Sequence, residues 1–140
     1  MGTDPRAGLR RLLDAADSGE LGTLGRARGV RLLVAFGSVS VTDPSARPRD
    51  LDIAVAFGQG TRGDLLDLLA DLVRASGAED VDLMDLGRAG PVARERALVG
   101  TVPLYEGEPG AFAKAQMAAI LERMETEPLR RLDLELMAAR

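Results

Sequence analysis

The sequence predicts a small mixed α/β (α+β) fold, one short β-sheet packed against helices. Three observations carry this: apolar runs of strand length at 30–36, 51–57 and 81–86, amphipathic stretches at helical spacing between and around them, and glycine or proline at nearly every junction. At 140 residues the chain suits a single domain, residues 1–140, with a helical segment over 111–140.

Leu9, Leu12, Leu13 and Ala16 repeat at helical spacing before Asp17-Ser18-Gly19, which predicts a helix over about 5–17, with a short second helix near 20–28. "VRLLVAF", 30–36, is a continuous apolar run ended by Gly37 and reads as a buried strand. Residues 39–49 hold two prolines among small polar residues and read as a loop. "LDIAVAF", 51–57, is the second strand. The stripe of Leu65, Leu66, Leu68, Leu69, Leu72 and Val73 predicts a helix ended by Gly77, with Asp64, Asp67 and Asp71 on its wet side. "VDLMDL", 81–86, is the third strand. Pro91 suits the first turn of a helix to about Val99, and "TVPLYEG" is a short fourth strand. A helix from Ala111 to about Met124 is expected to turn Phe112, Met117, Ile120, Leu121 and Met124 inward until Pro128 interrupts it, with Leu129, Leu132, Leu136 and Met137 forming a last amphipathic turn or two.

Composition narrows the chemistry. Eighteen Lys and Arg against 22 Asp and Glu leave a formal charge of -4, which argues against a nucleic-acid polymer held on a basic surface. No apolar run approaches the ~20 residues of a membrane span, and the N-terminal residues lack the apolar segment of a secretion signal, so a cytoplasmic protein is expected. Cys and His are absent, which excludes thiol nucleophiles, disulfides, Cys or His zinc sites and an imidazole base. An enzyme built from this chain works with carboxylates, hydroxyls, Arg, backbone amides and a hard cation held through oxygen.

Two features break the apolar pattern. Asp50 and Asp52 open the second strand two residues apart, on one face of the sheet, where their charges repel. Asp82 and Asp85 stand on the third strand, on opposite faces, so at most one of them joins a common site. Acidic side chains from two strands suit one or two Mg²⁺ ions; a solvated strand end or turn cap is the alternative for Asp50 and Asp52. Gly37-Ser38, closing the first strand, offers close backbone approach, a hydroxyl and an amide to a phosphate oxygen. Arg47 and Arg49 lie beside the aspartate pair and read as solvated, within reach of a phosphate.

The combination of strand, Gly37-Ser38, an eleven-residue spacer, Asp50-x-Asp52 and Asp82 on the next strand resembles the nucleotidyltransferase fold of the polymerase β superfamily, and more specifically the minimal nucleotidyltransferase (MntA-type) antitoxins. The segment "VDLMDLGRAGPVARERALVGTVPLYEGEPGAF" extends the resemblance over most of the chain. The spacer is one residue longer than usual, Arg49 stands where a Ser often precedes the pair, and Val39-Ser40-Val41-Thr42 replaces the family's Arg-Gly. The resemblance implies an ATP- and Mg²⁺-dependent protein adenylyltransferase, an antitoxin that transfers AMP to a tyrosine of a HEPN-type toxin partner. It implies that Gly37 and Ser38 hold the nucleotide, that Asp50, Asp52 and Asp82 hold the metal, that Asp82 takes up the acceptor's proton, and that Asp85 is structural. Two alternatives stand beside it: a non-catalytic antitoxin that covers its partner through the stripe Leu129, Leu132, Leu136 and Met137, and an adenylyltransferase of small molecules such as aminoglycosides.

Overall fold

The computed structural model describes residues 4–40 and 48–139. Its elements are α1 (Pro5–Ser18), α2 (Glu20–Ala27), β1 (Val30–Phe36), a 3₁₀ turn (Gly37–Ser40), β2 (Leu51–Phe57), α3 (Leu65–Ser76), β3 (Val81–Asp85), α4 (Pro91–Leu98), β4 (Val102–Glu106) and α5 (Ala111–Ala138). The four strands form one mixed sheet in the order β3-β2-β1-β4. β1 is antiparallel to both β2 and β4, and β2 runs parallel to β3, with α3 as the crossover between them.

Each face of the sheet carries its own core, because side chains alternate along a strand. Leu33, Ala35, Ile53 and Val55 meet Leu12 of α1, Leu21 of α2 and Leu68 and Leu72 of α3. On the other face, Leu32, Val34, Ala54 and Ala56 meet Ala97 and Leu98 of α4 and Ala119 of α5. Both central strands are buried at nearly every position, as continuous apolar runs require.

Helix ends follow the local chemistry. Asp4 accepts a hydrogen bond from the amide of Ala7 ahead of Pro5. Asp64 accepts from the amides of Leu66 and Asp67, and Gly77 closes α3 in the left-handed conformation. Arg28, at the end of α2, donates to Asp71 at 2.7 Å and ties α2 to α3. Asp71 is therefore not on a wet face, whereas Leu66, expected in the α3 stripe, is 78% exposed.

The last helix departs most from expectation. Pro128 lies inside α5, which continues for 28 residues, about 42 Å at 1.5 Å per residue. The proline ring forfeits one backbone bond, to the carbonyl of Met124. The ion pairs Arg123–Glu127 at 2.8 Å and Arg131–Glu127 at 3.9 Å span that gap, and the Thr126 hydroxyl donates to the carbonyl of Glu122. The inward face of α5 is also not the one with the largest apolar side chains. Ala111 and Ala119 are buried, Phe112 and Ala115 pack beside the core, and Met117, Leu121 and Met124 are exposed. Small residues let α5 approach α4 and the sheet closely, and that contact fixes its rotation. Leu129, Leu132, Leu136 and Met137 are exposed as well.

Candidate functional site

The register of the sheet assembles the site. Phe36, Asp52 and Asp82 stand opposite one another across β1, β2 and β3, so the two carboxylates project from neighbouring strands on the face that α4 covers. Gly37 follows Phe36 directly, with φ of 75°, the left-handed region that glycine tolerates. A Cβ at that position would lie 2.4 Å from Oδ2 of Asp52, so the missing side chain is the space the carboxylate occupies. The amide of Leu51 donates to the carbonyl of Asp80 at 2.8 Å, pinning the start of β2 to the start of β3.

Electrostatics single out Asp52. Its proton affinity is raised above the ordinary carboxylate range, first by burial, then by the negative charges of Asp82 and Asp50; the guanidinium of Arg96 opposes them. Asp52 is half-buried, Asp50 lies exposed just ahead of β2, and Asp82 is exposed at the sheet edge. Ser38 is exposed on the 3₁₀ turn, held there by Val39, which is 5% exposed. The structure thus brings Gly37, Asp50, Asp52 and Asp82 to one end of the sheet, with Ser38 on the adjoining turn.

Asp85 performs a different task. It accepts a hydrogen bond from the amide of Gly87 at 2.9 Å and pairs with Arg88 at 3.7 Å, capping the turn after β3. Arg49 is exposed, and Arg47 lies outside the described residues.

The donor set suits a hard divalent cation: carboxylate oxygens, one of them half-buried beside two like charges. Among the described residues no three acidic side chains already stand as a closed metal-binding cluster. A cation here would offset the charges of Asp82 and Asp50, which after burial raise the proton affinity of Asp52.

Sequence reasoning missed Arg96. It lies in the last turn of α4, near enough to Asp52 for its charge to oppose the rise in that group's proton affinity. Nothing in the local sequence marks it, because α4 has no regular apolar stripe from which its rotation can be read.

No family model and no curated protein matches the chain. Solved structures do. A chain of a crystal structure of a toxin–antitoxin with AMP-PNP aligns with a TM-score of 0.65 and 23% identity, over 87% of this chain and 98% of that one. A chain of the tri-AMPylated Shewanella oneidensis HEPN toxin in complex with MNT antitoxin aligns at 0.63 and 21%, over 90% and 98%. The toxin–antitoxin MntA-HepT gives 0.61 and 20%, over 87% and 97%. The chain has the nucleotidyltransferase fold. Gly37, Asp52 and Asp82 lie at one end of the sheet, Asp82 on its edge strand β3.

Proposed function

We propose that the chain is a Mg²⁺-dependent nucleotidyltransferase that moves AMP from ATP to a hydroxyl, of tyrosine, on a HEPN-type toxin, and so acts as that toxin's antitoxin in the cytoplasm. The observation that carries the reading is the packing of the Asp52 carboxylate against Gly37, in register with Asp82. The similarity in fold to toxin–antitoxin chains, one with AMP-PNP and one with an AMPylated toxin, supports it. Residues 1–140 act in it as one unit.

In this reading Gly37 and Ser38 hold the triphosphate: the glycine lets backbone come close, and the Ser38 hydroxyl and amide donate to phosphate oxygens. Asp50, Asp52 and Asp82 hold Mg²⁺, which when bound neutralises the triphosphate and the pyrophosphate leaving group. The acceptor hydroxyl oxygen forms a bond to the α-phosphorus, the bond from that phosphorus to pyrophosphate breaks, and the hydroxyl proton passes to Asp82. The exposure of Asp82 on the edge strand supports this role. The charge of Arg96 opposes, without cancelling, the burial and acidic neighbours that raise the proton affinity of Asp52.

The experiment is transfer from α-phosphate-labelled ATP, with Mg²⁺, to the co-purified toxin or to host lysate. A labelled protein band that requires Mg²⁺ and disappears with Asp52→Ala is expected. A band that persists in that variant would remove Asp52 from the mechanism. One observation favours a second reading, a non-catalytic antitoxin that covers its partner: the outer part of α5 exposes Leu129, Leu132, Leu136 and Met137. Protection of cells by Asp52→Ala would select it.

A further inference from the structure

We infer that the chain carries a second anion site, at the opposite end of the sheet from the aspartates, which takes a small phosphorylated organic molecule. Asp52 and Phe57 lie at the two ends of β2, about 17 Å apart at ~3.3 Å per residue. Around Phe57 opens a cleft of about 560 Å³, within the range of small-molecule sites. Arg31, Arg62, Arg88 and Arg94 line it, and Asp85 is its one acidic lining residue. Four arginines from four separate segments line one cleft of a protein whose net charge is -4. Arg31 and Arg62 have no acidic partner among the described residues, and a bound anion would supply one.

The four differ in what already occupies them. Arg94 donates to the carbonyls of Leu86 and Ala89 and pairs with Glu122 at 2.6 Å, so it fixes the cleft wall. Arg88 is 84% exposed and only loosely paired with Asp85. Arg31 and Arg62 form no ion pair among the described residues. Arg31 is the extra residue of a β-bulge, where β1 slips against β2 between Val30 and Leu32, a device that re-aims a side chain. Arg62 lies in the connector from β2 to α3. The cleft therefore opens at the carboxyl ends of two parallel strands, β2 and β3, where α/β sheets place ligands.

The ligand class follows from the lining. Asp64 takes the amides of Leu66 and Asp67, so the start of α3 is closed to anions and phosphate recognition rests on the arginines. Leu98, Ala115 and Ala118 supply an apolar floor beside them, which suits the organic part of a phosphorylated molecule.

The test is calorimetric titration with ADP and with inorganic pyrophosphate, in EDTA at low salt, where metal-dependent transfer at the aspartates is silent and its success or failure has no bearing. ADP is expected to bind more tightly than pyrophosphate, and binding is expected to weaken with salt. The double variant Arg31→Gln, Arg62→Gln is expected to lose at least about tenfold in affinity, and Asp52→Asn to leave it unchanged. Should the double variant unfold, Arg62→Gln alone, at an exposed connector position, carries the same expectation. No binding of ADP, binding indifferent to the arginines, or ADP binding no tighter than pyrophosphate would each overturn the inference. So would single-stranded RNA binding more tightly than ADP through the same arginines, which would make the cleft a polymer-binding face.

Discussion

Replacing Gly37 by alanine perturbs two things that can be separated. The residue has a φ of 75°, where an L-residue costs roughly 1–2 kcal/mol. The new Cβ would also stand 2.4 Å from Oδ2 of Asp52, about 1 Å inside the 3.4 Å at which ordinary contact begins. The Asp52 side chain is the element able to yield, so its carboxylate moves by roughly that distance. A misplacement of about 1 Å in a catalytic constellation can cost about 10²-fold in rate. Gly19 supplies the control, with a φ of 86° and nothing within 4 Å of its would-be Cβ. Gly19→Ala should therefore lose similar stability in urea unfolding yet retain full AMP transfer, whereas Gly37→Ala should lose stability and about two orders of magnitude of transfer. Equal transfer by the two variants would refute the argument that Gly37 exists to make room for the carboxylate.

The raised proton affinity of Asp52 has a sign for stability. The folded state holds this proton more tightly than the unfolded chain does, so stability falls as pH rises from about 3.8 through the raised value. Asp52→Asn should remove that slope, and its stability relative to the parent should grow between acid and neutral pH, as urea unfolding at several pH values would read. Arg96→Ala removes the charge that opposes the shift and should move the acid limb of the transfer rate to higher pH; an unmoved limb would dismiss Arg96. Leu132→Glu, at a position 51% exposed, should change unfolding free energy by no more than about 0.5 kcal/mol while weakening toxin binding at least tenfold if α5 covers the partner, which co-purification and titration would measure.

Much of this architecture was legible in the residues. Strands at 30–36 and 51–57 announce themselves because both faces of a central strand are covered, leaving little room for polar alternation. The aspartates stood out for the same reason, as charges in runs that otherwise demand burial. α5 misled because two apolar faces compete there, one of alanines and one of Met and Leu, and size favours the wrong one. The alanine face wins because close helix packing excludes bulk, a constraint set by α4 and invisible along the chain. Pro128 misled because a proline ends a helix only when the neighbouring turns cannot hold it, and the Glu127 pairs hold them. Arg96 depends on the rotation of a whole helix over a sheet.

The position of β3 at the rim of the sheet has a cost of its own. A rim strand presents unpaired backbone groups that can recruit another chain, and proteins guard such strands by keeping them short and charged. β3 has five residues, two of them Asp82 and Asp85, and the other rim strand, β4, carries Pro103 and Glu106. Asp82 therefore guards the rim, whatever its part in the proposed transfer. A variant that neutralises it to silence transfer also strips a guard from the rim, and its self-association has to be measured before any lost activity is read as lost chemistry.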